Sequence, residues 1–216
     1  MSPRIRLLKI SELEDAVGSE ALADTLARFS CPLNKEVESY LKDASRAVQS
    51  SRMSSSVTYL AFDSRTNDLL GYFTLMMKAY SVRSDALNSS NKRLISRFSE
   101  IDASGNFTAA VYLIAQIGKN FALPEEDQVE GSELLMAAMD VFCGTKSAIG
   151  GKLVMVEREA DRPKLLEFYN DNGFKSWTTR RNAKDGMVYD QMFSVLGGSK
   201  YLQSQIVKLT MKGTSP

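Results

Sequence analysis

The segment 109–117 is the most apolar strand candidate in the chain and lies near its middle. A continuous apolar run bounded by polar residues is typical of a strand that is covered on both faces. Such a strand is expected at the centre of a sheet, with helices packed against it. This feature therefore predicts a mixed α/β fold.

The other sequence patterns predict the order of elements around that strand. Ser11 and Glu14 have the spacing of a capping box, which predicts a helix that starts there. The predicted order is strand 4–10, helices 11–28 and 34–49, a loop at 50–56, a hairpin of 57–62 and 69–77, a polar helix 85–101, strand 109–117, helix 131–142, strand 152–158, helix 162–172 and two strands, 174–181 and 187–195, joined by a turn at 184–186. We expect one domain over residues 1–198, with the helical stripe of 199–216 packed on its edge.

Composition excludes several kinds of site. The chain has no histidine, which excludes Ser–His and Cys–His nucleophile pairs and histidine metal ligands. Cys31 and Cys143 are too few for a zinc site or a disulfide framework, and we expect them to be reduced thiols of a cytoplasmic protein. The formal net charge of +1 gives no argument for polyanion binding by the chain as a whole. No apolar run approaches the ~20 residues of a membrane span.

The polar loop between the central strand and the next helix carries the first functional signal. Gln128, Val129, Glu130, Gly131 and Ser132 stand at the predicted helix start. Unpaired backbone amides at a helix start bind anions, and glycine lets a phosphate approach closely. A strand, a loop, a glycine and a helix also occur together as a plain structural connection, so this pattern alone leaves both interpretations open.

The short helix 162–172 carries the second signal. Leu165 and Tyr169 are four residues apart and therefore share one helix face. Tyr169 is then expected on the inner side, with its hydroxyl available to a ligand. The alternative is that Tyr169 is an ordinary core residue, since an amphipathic tyrosine often packs in this way.

The motif Phe168-Tyr169-x-x-x-Gly173-Phe174, with Gly131-x-x-Leu134-Leu135 upstream, resembles the second half of the GCN5-related N-acetyltransferases (GNAT family). The resemblance covers roughly residues 29–196. Further upstream, Phe29-Ser30-Cys31, Tyr40-Leu41 and Gly71-Tyr72-Phe73-Thr74-Leu75 are similar to a branch that includes the acetyltransferase toxins of toxin–antitoxin pairs. The resemblance implies a GNAT-like mixed, mostly antiparallel central sheet flanked by helices, with a C-terminal helical tail.

The resemblance also implies acetyl-CoA as cosubstrate and gives roles to particular residues. Tyr169 would be the general acid that protonates the departing CoA thiolate. The bulged end of the central strand would bind the pantetheine arm through its backbone, and the loop amides would bind the pyrophosphate. The implied cofactor-binding residues are Ile117, Gly118, Lys119, Gln128, Val129, Glu130, Gly131, Ser132 and Arg162.

The sequence departs from the family pattern in the phosphate loop. When Leu134-Leu135 anchors the motif, Gly131 is its last glycine, Val129 replaces the middle glycine and Glu126 replaces the leading glutamine or arginine. An anchor on Gln128 instead makes Gly131 the middle glycine. The first alignment keeps the spacing from glycine to leucine and is the one we prefer.

The same loop is acidic, which opposes phosphate binding. Its acidic residues are Glu125, Glu126, Asp127 and Glu130. Charges that project into water are heavily screened, and Lys119 or Arg162 would offset the remainder. Arg162 stands where many family members have asparagine.

The general base is predicted less directly. Because histidine is absent, the base must be a carboxylate, a tyrosine or water. Glu157, on the strand that precedes the Tyr169 helix, is the candidate, and a solvated glutamate is the alternative. Gln116 could orient the acceptor. A covalent intermediate on Cys31 or Cys143 is disfavoured, since neither lies in these segments.

Three functional hypotheses follow from the sequence. The first is an acetyl-CoA-dependent N-acetyltransferase acting on a primary amine of a small molecule or protein. The second is a toxin-like enzyme that acetylates aminoacyl-tRNA, with a cognate antitoxin and tRNA as partners and a homodimer as assembly. The basic residues of 78–97 would form an acceptor surface for RNA or an acidic protein, although a solvated face is the alternative. The third is a GNAT-fold binding protein without catalysis.

Overall fold

The structure, a computed structural model, describes residues 4–183 and 186–197. Its strands are β1 Ile5–Lys9, β2 Val57–Asp63, β3 Leu69–Arg83, β4 Asn106–Lys119, β5 Leu153–Glu159, β6 Lys175–Arg181 and β7 Val188–Val195. Its α-helices are α1 Ile10–Val17, α2 Ser19–Ala27, α3 Lys35–Lys42, α4 Ala44–Arg52, α5 Ser89–Ile95, α6 Gly131–Ile149 and α7 Pro163–Asp171. Two short 3-10 helices, Ser84–Ala86 and Glu125–Asp127, lie between them.

The strands form a sheet of order β1-β2-β3-β4-β5-β7-β6. Antiparallel pairing joins β1 to β2, β2 to β3, β5 to β7 and β6 to β7. This architecture confirms the predicted mixed α/β class with a mostly antiparallel sheet. In the part of the chain that the structure describes, no helix is both long and apolar enough to cross a bilayer.

The described residues divide into two compact units. The first unit contains the chain up to Met76 and the segment Ile114–Val141; the second contains Met77–Leu113 and the chain from Phe142 on. The prediction of one domain over 1–198 stays a prediction. The proposed C-terminal extension 199–216 and most of the turn at 184–186 lie outside the described residues.

Each of the first two predicted helices is two helices. Gly18 interrupts 11–28 with φ of 85°, a left-handed conformation that favours glycine and ends α1. Asp43 interrupts 34–49 with ψ of 75°, which breaks the helical repeat between α3 and α4. The apolar periodicity continues across both breaks. For this reason the sequence pattern predicts one helix in each segment where the structure has two.

The predicted capping box at Ser11 is wrong. Helix α1 begins one residue earlier, at Ile10, and its N-cap Lys9 makes no side-chain capping bond. The Glu14 carboxylate instead accepts hydrogen bonds from Arg52 at 2.7 Å and from the Ser19 hydroxyl at 2.9 Å. The Glu14 carboxylate therefore binds Arg52 and Ser19 and does not cap the start of α1.

Three elements differ in length from their predictions. Strand β3 continues to Arg83 because alternate residues, Tyr80 and Val82, are buried along its second half. The polar helix shrinks to α5, which starts where the Asn88 side chain accepts a hydrogen bond from the amide of Asn91 at 2.8 Å. Helix α4 extends into the predicted serine loop and ends at Arg52.

The first unit has a core of helix and strand side chains around Tyr72. This ring is fully buried, and its hydroxyl donates to the Val37 carbonyl at 2.6 Å. Phe29 contacts the same ring edge-on, with 5.4 Å between ring centroids. Burial raises the pKa of Tyr72 above its ordinary value, so the hydroxyl stays a donor. These contacts hold α3 against β3.

The second unit has an aromatic cluster on its outer hairpin. Trp177 stacks on Phe193 with 4.2 Å between ring centroids, and Tyr80 lies 4.7 Å from the same ring. Strand β6 is the last strand of the sheet order, and its register with β7 shifts between Ser176 and Thr178. The bulge at this position places Trp177 in the core.

Gly71 marks a close approach between backbone segments in the first unit. A Cβ atom added there would lie 2.5 Å from the Gly118 carbonyl oxygen and 2.7 Å from a methyl group of Leu134. We expect Gly71→Ala to lower the free energy of unfolding by about 1–3 kcal/mol, because backbone cannot yield as a side chain does.

Gly144 offers the matched control for this substitution. It is an exposed residue of α6, and nothing lies within 4 Å of an added Cβ. Gly144→Ala should raise the free energy of unfolding by about 0.5–1 kcal/mol through helix propensity. Urea denaturation measures both changes, and an equal effect of the two substitutions would contradict the close approach at Gly71.

Candidate functional site

The end of β4 is packed closely within the first unit. A Cβ atom on Gly118 would lie 2.5 Å from a methyl group of Val37, so any other residue at this position requires the Val37 side chain to shift. Ile117 is half-buried and packs on the cluster that contains Val129 and Leu134. The structure thus brings two predicted cofactor-binding residues, Ile117 and Val129, into one cluster.

Asn120 fixes the turn that follows β4. Its side chain is buried, and its amide nitrogen donates to the Leu69 carbonyl at 2.9 Å. Its side-chain oxygen accepts from the amides of Ser30 at 2.9 Å and Ala122 at 3.1 Å. Sequence reasoning missed this residue because its partners lie far away in the chain.

The Lys119 ammonium is held beside an aromatic ring. Its Nζ lies 4.9 Å from the centroid of Phe121, a cation–π distance. This contact gives the cation a defined position at the end of β4. The predicted role of Lys119 in offsetting the acidic loop stays a prediction.

Gln128 stabilises the loop rather than facing outward. Its backbone amide donates to the carbonyls of Pro124 at 3.1 Å and Glu125 at 3.2 Å. Its side-chain nitrogen donates to the Leu123 carbonyl at 2.9 Å. The backbone amide and one side-chain N–H of Gln128 are therefore used within the loop, and its predicted contact with the cofactor stays a prediction.

Val129 is a core residue. Its side chain is fully buried in a cluster with Leu70 and Leu134. The valine that replaces a family glycine therefore anchors the loop instead of opening it. Its backbone, by contrast, remains at the helix start, where the sequence placed it.

Three backbone amides remain available at the start of α6. The amide of Glu130 donates to the Glu133 carboxylate at 3.4 Å, which uses one of the donors. Within 4–183 and 186–197, the amides of Val129, Gly131 and Ser132 have no hydrogen-bond acceptor. Free amides at a helix N-terminus, together with the helix dipole, suit a phosphate group.

Tyr169 lies in the second unit, on α7. Its ring packs edge-on against Phe168 and Phe174, with centroid distances of 5.2 and 5.6 Å. The residue is 6% exposed. Its hydroxyl makes no hydrogen bond to a described residue, and its oxygen is not among the enclosed polar atoms of those residues. Burial raises the pKa of Tyr169 to about 12, so the hydroxyl keeps its proton at neutral pH.

A buried ion pair fixes the connection from β5 to α7. Arg158 donates to the Asp190 carboxylate at 2.9 Å, and both side chains are buried. The same guanidinium donates to the carbonyls of Glu159 at 2.9 Å and Arg162 at 3.2 Å. Ser176 donates to Asp190 at 2.6 Å. This network sets where α7 starts and thereby positions Tyr169.

Arg162 is the N-cap residue of α7. Its guanidinium forms an ion pair with the Glu159 carboxylate. Part of its charge is therefore already neutralised, so less positive charge is available to offset the acidic loop. Its predicted contact with the cofactor stays a prediction.

Glu157 has a close cationic partner. Its carboxylate accepts from Arg180 at 3.1 and 3.0 Å and from Gln191 at 2.7 Å. Burial raises the pKa of Glu157, but the hydrogen bonds from Arg180 and Gln191 outweigh it and hold the pKa below its ordinary value. Glu157 is therefore ionised but a weak proton acceptor, and it would act as a base more readily if Arg180 moved away.

We expect Arg180→Met to raise the pKa of the Glu157 carboxyl, because burial would then lack its main opponent. A carbon-13 NMR titration of the carboxyl resonance measures the change. Arg181→Met is the control. Among the residues that the structure describes, Arg181 donates only to the Gly186 carbonyl, at 3.0 Å, and not to Glu157. An unchanged titration in the Arg180 variant would show that the ion pair does not control this carboxyl.

The lowered pKa of Glu157 also makes the free energy of unfolding depend on pH. A carboxyl with a lowered pKa in the folded state stabilises the protein above its unfolded-state pKa. That contribution is lost as the pH falls through the folded-state value. The Glu157–Arg180 pair therefore acts at neutral pH and disappears only in acid.

No protein-family model and no curated protein matches the sequence. Among solved structures, the chain resembles AtaT complexed with acetyl-methionyl-tRNAfMet, at 19% identity and a TM-score of 0.58, over 86% of this chain and 93% of that one. It also resembles a bacterial toxin at 16% identity and a TM-score of 0.58, over 94% and 96% of the two chains. The chain has the fold of these toxins. This confirms the predicted GNAT-like fold.

A third solved structure shares the fold. A tyrosine-to-phenylalanine mutant of KacT matches at 17% identity and a TM-score of 0.56, over 87% of this chain and 95% of that one. At these identities the likeness concerns the fold alone. The similarity extends over nearly the whole of each solved chain, so the shared architecture includes both compact units.

Sequence reasoning missed the residues that hold the candidate groups in place. Arg158, Asp190, Arg180 and Asn120 each bond to groups that are distant in the sequence. None belongs to a motif with a fixed spacing. The only signal that the sequence offered was a charged residue inside an apolar strand, which applies to Arg158 in β5.

Proposed function

We propose that the protein is an acetyl-CoA-dependent N-acetyltransferase that acts on a primary amine. The observation that carries the proposal is the hydroxyl of Tyr169. It stands on a buried ring, keeps its proton at neutral pH and is not engaged by any described residue. The motif around it resembles the one in which the family places its general acid, and the fold is the GNAT-like fold.

The start of α6 supports acetyl-CoA as the cosubstrate. The free amides of Val129, Gly131 and Ser132 are the donors that a pyrophosphate requires. The end of β4, Ile117 to Lys119, would offer its backbone to the pantetheine arm. The residues present therefore suit the nucleotide, even though the loop lacks two of the family's usual residues.

The proposed reaction is direct transfer from the thioester. The neutral amine attacks the thioester carbonyl carbon, a C–N bond forms, and the C–S bond breaks. Tyr169 donates its proton to the departing sulfur, and the acceptor nitrogen loses a proton to water or to a carboxylate such as Glu157. Most of the rate gain would come from holding amine and thioester together.

The amine of an aminoacyl-tRNA is the second candidate acceptor. The similar AtaT structure contains acetyl-methionyl-tRNAfMet, which is a product of this kind. In this chain, Arg93 and Arg97 are exposed on and after α5 and would supply phosphate contacts. The near-neutral charge of the chain requires such contacts to be local.

The proposal extends to partners and location. A similar AtaT structure is bound to the C-terminus of the antitoxin AtaR and to acetyl-CoA. By analogy, a cognate antitoxin is proposed for this chain. A homodimer is proposed from the family resemblance of the sequence alone. We also propose a cytoplasmic location, in line with the toxin-like fold.

A binding and thiol-release assay tests the proposed function. Calorimetry with acetyl-CoA comes first, because absence of heat and of thermal stabilisation would contradict every enzymatic hypothesis. Release of free CoA thiol is then followed with simple amines and with charged tRNA as acceptors. Binding without thiol release from any acceptor would support a non-catalytic protein, and growth arrest on expression would favour the toxin-like acceptor.

A further inference from the structure

Arg4 connects the first strand to the phosphate loop of the first unit. Its Nε donates to the Asp63 carboxylate at 2.8 Å. Its terminal nitrogens donate to the carbonyl of Asp127 and, at 3.4 Å, to the carbonyl of Gln128. One guanidinium thus joins Asp63, the last residue of β2, to the two residues that precede the free amides.

Asp63 holds Arg4 in this position. Its second carboxylate oxygen accepts from the amides of Arg65 at 2.8 Å and Thr66 at 3.1 Å, and the residue is 5% exposed. The Arg4 guanidinium and these two amides lower the pKa of Asp63 to about 2. The carboxylate is therefore charged and rigid at neutral pH, and it leaves Arg4 little freedom.

Carbonyl contacts on one side of the loop direct amides to the other side. In a planar trans peptide the C=O and the N–H point in opposite directions. Because the Gln128 carbonyl points to Arg4, the amide hydrogen of Val129 points away from Arg4. We call the Arg4 guanidinium with its bonds to Asp63, Asp127 and Gln128 the clamp. The clamp orients the Val129 amide, one of the three free amides, and turns the carbonyl oxygens away from the proposed phosphate position.

The contacts of Arg4 also explain how this loop manages without the family's middle glycine. Glycine lets a loop adopt the conformation that presents its amides, whereas Val129, which replaces it, does not have that freedom. Here the buried Val129 side chain and the two bonds from Arg4 fix the conformation instead. The Arg4 charge also lies next to the acidic run of the loop and compensates part of it.

We propose that Arg4 is the positioning residue for acetyl-CoA binding, acting through the carbonyls of Asp127 and Gln128. The inference rests on the proposed function, since it assumes that acetyl-CoA binds at this loop. Arg4 itself need not touch the ligand. Its loss would let the loop rotate and would lower affinity before it affected the fold.

Calorimetry of acetyl-CoA binding to Arg4→Met tests the proposal. We expect the dissociation constant to rise about tenfold, which corresponds to the loss of one charge-assisted hydrogen bond. Arg6→Met is the matched control two residues further along, in β1, because among the residues that the structure describes Arg6 bonds only to the Asn67 side chain, at 2.8 Å. Its dissociation constant should stay within about twofold of wild type.

Melting temperatures distinguish a positioning role of Arg4 from a general effect of the substitution on the fold. The melting temperatures of the two variants without ligand should agree within a few degrees, while saturating acetyl-CoA should stabilise Arg4→Met less than Arg6→Met. Arg4→Lys should recover part of the affinity, because the positive charge is kept. Recovery should be incomplete, since an ammonium reaches fewer of the three acceptors, which are the Asp63 carboxylate and the carbonyls of Asp127 and Gln128. If Arg4→Met does not fold, Asp63→Asn is the second variant, and it should also weaken binding.

The outcomes are distinct. Wild-type affinity in Arg4→Met would overturn this inference and leave the proposed function intact. A wild-type protein that does not bind acetyl-CoA would overturn both. Equal weakening in Arg4→Met and Arg6→Met would show that the strand, and not the clamp, matters, and it would also overturn the inference.

Discussion

Tyr169→Phe should lower turnover at saturating acetyl-CoA by at least about 100-fold, the range of a lost general acid. The dissociation constant for acetyl-CoA should change by less than about twofold, because the proton is needed only as the C–S bond breaks. The ring keeps its contacts with Phe168 and Phe174 in this variant, so its packing is retained. Turnover from thiol release and affinity from calorimetry are the two measurements.

Tyr59→Phe is the control for this experiment. Tyr59 lies in β2, where its ring stacks on Phe73 with 5.4 Å between centroids. It has no role in the proposed chemistry, and its substitution should leave turnover and affinity unchanged. If Tyr169→Phe lowers turnover and affinity equally, the hydroxyl is a binding group and not the acid.

The raised pKa of Tyr169 also predicts how the reaction rate and the stability depend on pH. With a pKa of about 12 the acid stays protonated throughout the usual assay range. A loss of rate between neutral pH and pH 10 must therefore come from another group. Because the folded-state value exceeds the ordinary one, the hydroxyl also favours the fold below pH ~10, and this contribution is lost as the pH rises toward 12.

Gly131→Asp should weaken acetyl-CoA binding on the order of 100-fold. The new carboxylate would stand at the first residue of α6, beside the amides proposed for the pyrophosphate, and would repel it. An acidic residue at a helix start is otherwise favourable, so the free energy of unfolding should stay equal or rise by about 0.3–1 kcal/mol. Affinity and stability would thus move in opposite directions.

Gly144→Asp is the matched control on the same helix. Gly144 is exposed and nothing lies near it, so a carboxylate there should leave acetyl-CoA affinity within about twofold of wild type. Calorimetry gives both dissociation constants, and urea denaturation gives both stabilities. An unchanged dissociation constant in Gly131→Asp would remove the start of α6 from the site.

The sequence was sufficient for features that local patterns determine. The alternation of β2, the apolar run of β4 and the shared face of Leu165 and Tyr169 all depend on residues within one or two turns or strands. These patterns placed Tyr169 on a buried helix face, and the structure agrees. The class of fold followed from the order of such elements.

Features that depend on distant partners could not be predicted in this way. Gly18 and Asp43 interrupt helices whose apolar periodicity continues across the break. For Glu157 the sequence predicted either a general base or a solvated glutamate, and it gave no sign of the ion pair that Arg180 on β6 forms with it. Arg4 lies 123 residues from the Asp127 carbonyl that it binds. No spacing rule can reveal such a pair, because the fold alone brings its members together.

The bulged final strand has a consequence for self-association. Lys175, Arg180 and Arg181 are exposed along β6, the last strand of the sheet order, and its register with β7 shifts between Ser176 and Thr178. Positive charges and a bulge both discourage a second chain from extending a sheet. Fibrils that grow by extending the sheet from this strand should therefore be disfavoured even at high protein concentration.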